Sequence, residues 1–405
     1  RSGGQVLVDQ LRIHGVDTIF CVPGESYLTV IDALHDAQNE IKTVACRQEG
    51  GATNMAEAYG KLTGKPGVAM VTRGPGACNG SIGVHTAMQD STPMVIFIGQ
   101  VARDQEYREA FQEVDYHKFY GAICKEVVQI DHADRVPELV SQAFHVAASG
   151  RPGPVAVSIP EDMQRDMVDV ADARPFTTVR SEVGPQAMAD FRAQLAVSER
   201  PLMIVGGAGW SEKACADIQA FAEANAVPVV ASFRCQDMFD NMHANYAGEL
   251  GTSASPKLTA RLKDSDLLIV VGSRLGEMTT GGYSLVSLPV PQQKLVHVYM
   301  DAAELGRVYE PDVAIVASME SFAAAAKDME ATSPDSRTEW VREANQEYID
   351  NLKPTLEMNG VDMHAVMDVL NEKLPADAII TNDAGNFSGW AQRFYRYRTF
   401  RSQLG

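Results

Sequence analysis

The residues whose types and spacing could do chemistry gather around Glu49, in Arg47-Gln48-Glu49-Gly50-Gly51-Ala52. Ile41, Thr43, Val44 and Cys46 read as a strand. Ala52, Met55, Ala56, Tyr59 and Leu62 recur at helical spacing, so a helix is expected over 52–62. Glu49 therefore sits where a strand ends and a helix begins, the place where open α/β sheets bind ligands. A carboxyl group there can hold or pass a proton. The plainer reading is a first-turn acid favoured by the helix dipole, a contribution of about 0.3–1 kcal/mol. Two glycines follow at once and allow close approach to the backbone. Two other strand-to-helix turns carry special residues: Val22-Pro23-Gly24-Glu25, and Val71-Thr72-Arg73-Gly74-Pro75-Gly76-Ala77-Cys78-Asn79. One shared site accounts for all three.

Those turns need a scaffold. From residue 3 to about 165, helices over 3–14, 26–37, 52–62, 76–89 and 137–149 alternate with strands over 18–22, 41–46, 67–72, 93–98 and 154–159. Several strands are wholly apolar, which implies a parallel sheet covered on both faces. Residues 166–184 lack periodicity and read as a linker. A second α/β unit is expected over 185–330, with strands at 202–205, 228–231, 267–271 and 295–299. Residues 331–357 read as a second linker with a helix over 339–351. A third unit starts at 358, with a helix over 362–373 and a strand over 378–381. A lone helix and strand cannot form a stable domain, so the sequence looks cut within that unit. The expected class is α/β, with three doubly wound parallel-sheet domains, the third incomplete.

A chain of 405 residues exceeds a single core, and a formal charge of −18 argues against nucleic acid and anionic membranes as partners. No apolar run reaches the length of a membrane span, and the N-terminal residues show no apolar signal region. A cytoplasmic protein is expected. Cys21, Cys46, Cys78, Cys124, Cys215 and Cys235 form no CxxC pair and read as buried reduced thiols, without spacing for zinc. The nine histidines show no ligand spacing and no GxSxG occurs, so hydrolytic triads and metalloprotease sites are unsupported.

Other motifs carry two readings each. Gly74-Pro75-Gly76-Ala77-Cys78-Asn79-Gly80 has GxGxxxG spacing rather than the dinucleotide GxGxxG, and no acid ends the next strand. It could receive a flat heteroaromatic ring with Asn79 as a polar handle, or simply be a tight turn. Val205-Gly206-Gly207-Ala208-Gly209-Trp210 could hold a nucleotide-like group or form a plain turn, and Arg274 at the end of another strand could meet a phosphate. Ala110-Phe111-Gln112-Glu113 suits a substrate pocket or an ordinary loop. Arg393-Phe394-Tyr395-Arg396-Tyr397-Arg398-Thr399-Phe400-Arg401 interleaves arginines and aromatics. In so acidic a chain it reads as a surface that packs on a partner subunit or a missing domain, not as a nucleic-acid clamp.

Taken together, Val22-Pro23-Gly24-Glu25, Arg47-Gln48-Glu49-Gly50-Gly51-Ala52 and Thr72-Arg73-Gly74-Pro75-Gly76-Ala77-Cys78-Asn79 resemble the pyrimidine-binding domain of thiamine-diphosphate enzymes, most of all the acetolactate synthase large subunit. Asp90-Ser91-Thr92-Pro93, Gly99-Gln100-Val101, Ala110-Phe111-Gln112-Glu113 and Ser149-Gly150-Arg151-Pro152-Gly153-Pro154-Val155 match in the same register. The resemblance covers 3 to about 165, is weaker over 185–325, and over 362–405 fits the start of a diphosphate-binding domain. It implies pyrimidine, middle and diphosphate domains in that order, with the cofactor between subunits, hence a homodimer or homotetramer.

Carried across residue by residue, the resemblance makes Glu49 the catalytic acid that shares a proton with the cofactor's pyrimidine. Val22, Pro23, Gly24, Thr72, Gly74, Pro75 and Asn79 would contact thiamine diphosphate. Phe111 and Gln112 would face substrate, Gln112 also the cofactor. Gly385, Asn386 and Phe387 would begin the diphosphate contacts. Magnesium is implied, but its motif is absent from this sequence and no ligand is named. Arg151 and Arg274, with Gly206 and Gly207, match an FAD site. Gly248-Glu249-Leu250 and Arg274-Leu275-Gly276 depart from it, and Glu161 replaces a lysine of the acetolactate synthases. The implied activity is decarboxylation of a 2-keto acid such as pyruvate, with ligation to a second carbonyl. The rivals are a flavin-free decarboxylase or lyase of the same family and a non-catalytic cofactor-binding protein.

Overall fold

A computed structural model describes residues 1–332, 335–354 and 360–405. The expected start of the third unit at 358, and part of the linker before it, lie outside the described residues. The chain forms two compact units, Arg1–Val179 and Arg180–Gly405.

The first unit runs α1 (Gly3–Ile13), β1 (Thr18–Cys21), α2 (Leu28–Asp36), β2 (Lys42–Ala45), α3 (Glu49–Thr63), β3 (Gly67–Val71), α4 (Pro75–Asp90), β4 (Met94–Gln100), α5 (Tyr116–Tyr120), β5 (Glu126–Gln129), α6 (Val136–Ala148) and β6 (Pro154–Pro160). Its six strands make one parallel sheet in the order β2-β1-β3-β4-β6-β5. Alternate side chains of the central strands feed two cores. Val68, Met70, Val95, Phe97, Val155 and Val157 pack with α1, α2 and α6. Ala69, Val71, Ile96, Ile98 and Ala156 pack with α3, α4 and α5. Each large apolar side chain so buried stabilises by about 1.5–3 kcal/mol. The edge strand β5 is half-buried throughout, so no apolar run announces it.

Local signals set the helix ends. Ser2 and Gln5 form a reciprocal capping box on α1. The α3 helix starts at Glu49 and not at Ala52, because the Gln48 side chain accepts from Gly51 N at 3.0 Å. The first part of the expected linker lies along this unit. Val168 exchanges backbone bonds with Arg1, and Phe176 N donates to His14 Nδ1 at 3.2 Å.

The second unit runs α7 (Pro185–Val197), β7 (Pro201–Val205), α8 (Glu212–Asn225), β8 (Val229–Ala231), β9 (Tyr246–Glu249), α9 (Pro256–Asp264), β10 (Leu267–Val271), β11 (Lys294–Tyr299), β12 (Val313–Val316), α10 (Met319–Lys327), α11 (Asp335–Asn351), α12 (Met363–Lys373), β13 (Ile380–Thr381), α13 (Ser388–Phe394) and β14 (Gln403–Leu404). A second six-stranded parallel sheet has the order β12-β11-β10-β7-β8-β9, and β13 pairs with β14 in a short third sheet. Both large sheets carry interleaved helices, the α/β class expected.

The C-terminal segment docks within this unit through a buried polar seam. Gln236 and Gln403 exchange bonds at 2.8 and 2.9 Å, and Asn241 and Tyr397 exchange bonds at 2.9 and 3.0 Å. Asp237 accepts from Ser402 N and Gln403 N. This corrects the reading of the arginine–aromatic run. Phe394, Tyr395 and Tyr397 are buried in their own unit, and Arg393 donates to the Asn351 carbonyl at 2.8 Å. A second correction concerns the thiols: Cys21 and Cys124 are buried, but Cys78 is exposed on the first turn of α4. Among the described residues none of the six forms a disulfide. Among the described residues, no helix is long and apolar enough to cross a membrane.

Candidate active site

The three special turns converge because β2, β1 and β3 are neighbours in the sheet and point the same way. Val22-Pro23-Gly24 leaves β1, Glu49 opens α3 after β2, and Thr72 to Asn79 leads from β3 into α4. The half-buried Glu49 accepts at Oε2 from Asn79 Nδ2 at 3.1 Å. Glycines bring α3 and α4 close enough for this. A Cβ on Gly83 would lie 2.5 Å from the Thr53 carbonyl carbon, and one on Gly50 3.0 Å from Ile82. By contrast a Cβ on Gly51 would meet nothing within 4 Å, so that glycine faces open space.

The turn after β3 is fixed from several sides. Thr72 Oγ1 shares a hydrogen bond with Ser26 Oγ at 2.8 Å, and Ser26 Oγ accepts from Arg73 N at 3.1 Å. Gly74 N donates to Tyr116 Oη at 3.0 Å, and Tyr120 Oη donates to the Ala77 carbonyl at 2.6 Å. Burial pushes the Tyr116 hydroxyl up to about 12, so it stays protonated. Gly74 has φ 60° and ψ −111°, a conformation for glycine alone. A Cβ there would lie 2.7 Å from Gln112 Cβ. Gln112 itself has φ 65°, and Phe111 beside it is 79% exposed. Pro75 is the first residue of α4, where its fixed φ suits a helix start. Val22 O accepts from Tyr27 Oη at 2.5 Å, and Gly24 leaves room for Thr72, whose Cβ would sit 2.4 Å from an added methyl.

So Val22, Pro23, Gly24, Glu49, Thr72, Gly74, Pro75, Asn79, Phe111 and Gln112 lie at or beside one sheet edge. Ser26, Tyr116 and Tyr120, which hold it, escaped the sequence reading. Tyr116 reaches Gly74 across 42 positions, and no local spacing signals such a bond.

Comparison with known proteins accords with this geometry. Residues 1–119 match the family model described as thiamine pyrophosphate enzyme, N-terminal TPP binding domain, and residues 188–326 match its central domain. The acetolactate synthase isozyme 2 large subunit of Escherichia coli (strain K12) is 32% identical over 96% of this chain and 70% of its own length. The chain belongs to the thiamine pyrophosphate enzymes. Other relatives in that family are the acetolactate synthase large subunits of Parasynechococcus marenigrum (strain WH8102), at 33% identity over 98% of this chain and 65% of that protein, and of Lactococcus lactis subsp. lactis (strain IL1403), at 30% over 100% and 70%. The chain spans about two thirds of the length of these relatives.

The first-unit residues fit the family's cofactor. A Cβ on Gly76 would lie 2.8 Å from Thr72 Cγ2 and 3.4 Å from Glu49 Oε1, so the glycine lets the turn pack closely against Thr72 and that oxygen. Oε1 accepts no hydrogen bond among the described residues, while Oε2 is held by Asn79.

Residues expected at the diphosphate and at a flavin lie elsewhere in the chain. Gly385, Asn386 and Phe387 form the exposed turn before α13 in the second unit, with Ser388 N and Oγ donating to Gly385 O. Gly206 and Gly207 follow β7, where added methyls would lie 1.8 Å from Ser232 Oγ and 2.0 Å from Gly272 O. Their own packing explains them. Arg151 donates to Ser91 Oγ at 2.9 Å and to the Met88 carbonyl at 2.7 Å, at the end of α4. Arg274 is half-buried after β10. Among the described residues, no group of three His, Cys, Asp or Glu side chains is placed to hold a metal.

Proposed function

We propose that this protein is an enzyme dependent on thiamine diphosphate and magnesium, decarboxylating a 2-keto acid, pyruvate first among them, and joining the two-carbon unit to a second carbonyl. The observation that carries this reading is Glu49 at the mouth of α3, fixed by Asn79 on one oxygen, with no hydrogen bond among the described residues on the other. When bound, thiamine diphosphate supplies the electron sink for decarboxylation.

The chain's own residues bind, orient and move a proton. Glu49 is the acid–base group facing the pyrimidine, and Asn79 sets its rotamer. Val22, Pro23, Gly24, Thr72, Gly74 and Pro75 wall the ring. Phe111 and Gln112 face the substrate. Gly385, Asn386 and Phe387 take the diphosphate side, which magnesium accompanies. A homodimer or homotetramer in the cytoplasm is the proposed assembly.

Glu49→Gln keeps the acceptor for Asn79 and removes the proton chemistry. Turnover should fall by about 10²–10⁴-fold, the usual worth of a general acid or base, with unchanged thermal unfolding. Full turnover in that variant would remove Glu49 from the mechanism. NMR of products from pyruvate, with thiamine diphosphate and magnesium, separates the chemistries. A carboligated product supports the proposal. Acetaldehyde alone means a simple decarboxylase, and untouched pyruvate overturns the choice of donor.

A further inference from the structure

Arg73 stands between Thr72 and Gly74 but takes no part in the proton chemistry of Glu49. Its guanidinium is closed on Glu161, with Nη1 2.8 Å from Oε2 and the two side chains only 15% and 28% exposed. Glu161 follows β6, and β4 separates β6 from β3 in the sheet, so the pair spans the edge that carries the candidate site. Arg73 Nε donates to the Phe111 carbonyl at 3.3 Å, and Gly74 packs against Gln112. The pair thus lies on the backbone of the two residues assigned to the substrate wall. Arg73 Nη2 makes no hydrogen bond among the described residues. The next cation along this edge, Arg103, is closed in the same way on Asp162 at 2.8 Å and Asp166 at 2.7 Å.

We infer that the Arg73–Glu161 pair makes this enzyme prefer a neutral carbonyl, an aldehyde, over a second 2-keto acid as the acceptor. The inference rests on the carboligase reading. A guanidinium without a counter-ion would draw a carboxylate to the wall at Phe111 and Gln112. Opposite charges this close present little net attraction to an incoming anion, and Glu161 repels it directly. Nη2 still offers an N–H to the carbonyl oxygen of an uncharged acceptor. The transfer balances without an oxidant or reductant. The donor loses carbon dioxide, and the electron pair of the broken bond forms the new bond to the acceptor's carbonyl carbon. The acceptor oxygen gains a proton, so pyruvate, acetaldehyde and one proton give acetoin and carbon dioxide.

The test uses the full-length protein with thiamine diphosphate and magnesium. Pyruvate is the donor, and pyruvate and acetaldehyde at equal concentration compete as acceptors. Acetoin should exceed acetolactate in the wild type. Glu161→Gln leaves the guanidinium unbalanced and should raise the acetolactate-to-acetoin ratio about tenfold or more, the worth of a hydrogen bond to a charged group. The change should appear in KM for the acceptor and not in the rate of carbon dioxide release. Arg73→Gln should push the ratio the other way, a second reading if Glu161→Gln folds poorly. Pyruvate turnover with an acceptor ratio that neither variant moves, or wild type that favours acetolactate, overturns this inference alone. No turnover of pyruvate by the wild type overturns the parent reading and this inference with it.

Discussion

At the scale of single residues, the candidate site is built from bonds that fix direction. Asn79 holds one oxygen of Glu49, Ser26 ties Thr72 to Arg73 N, and Tyr116 takes the Gly74 N–H. Gly74 shows how little tolerance results. An added methyl would meet Gln112 at 2.7 Å from a backbone that only glycine adopts easily. Gly74→Ala should destabilise by about 1–3 kcal/mol and, by moving Gln112, lower kcat/KM for the 2-keto acid more than tenfold. Thermal unfolding and steady-state kinetics check both; wild-type kinetics would detach Gln112 from the substrate. The three turns were legible in the sequence because glycine, proline and one acid sit close together there. Ser26 and Tyr116 were not, since their partners lie 46 and 42 positions away.

At the scale of elements, one helix pair decides whether the site exists. The α3 and α4 helices meet through Gly50, Gly80 and Gly83, and this contact carries Asn79 to Glu49. Gly83→Ala places a methyl 2.5 Å from the Thr53 backbone, which cannot swing aside as a side chain would. It should cost about 1–3 kcal/mol or more and weaken cofactor binding, because the helices must part. A calorimetric titration with thiamine diphosphate and magnesium beside a thermal melt would show both losses; wild-type affinity would contradict the link. Most strands were legible as continuous apolar runs. The half-buried edge strand β5 was not, and neither was β12, whose residues alternate unevenly in burial. The inward packing of Tyr395 and Tyr397 was hidden too, because Asn241 supplies their polar seam from far along the chain.

At the scale of the whole molecule, buried histidines and buried carboxyls respond to acid in opposite directions. His14 in the first unit stacks on Phe144 with centroids 5.0 Å apart, and burial with His145 nearby lowers it to about 4. A folded value below the ordinary 6.5 means stability is lost as pH falls from about 6.5 to about 4. In the second unit, burial raises Glu249 to about 7, against the pull of the Ser253 N–H, and Asp237 to about 6. Folded values above the ordinary ones give stability that is full at low pH and is lost as pH rises through about 6 and 7. Each pH unit of separation carries about 1.4 kcal/mol. Trp210, Trp340 and Trp390 all lie in the second unit, so tryptophan fluorescence follows its unfolding. The stability difference between wild type and Glu249→Gln should change steadily from about pH 4.5 to about pH 7, with wild type losing ground as pH rises. A difference that is flat across that range would mean Glu249 does not titrate there.

The uneven exposure of the thiols has a practical consequence. Cys21 and Cys124 are buried and raised to about 11 and about 12, whereas Cys78 is exposed one position before Asn79. An alkylating reagent added to the native protein should therefore react first at Cys78. A cofactor seated against Asn79 should slow that reaction, so the alkylation rate read by mass spectrometry would count occupied sites without any turnover.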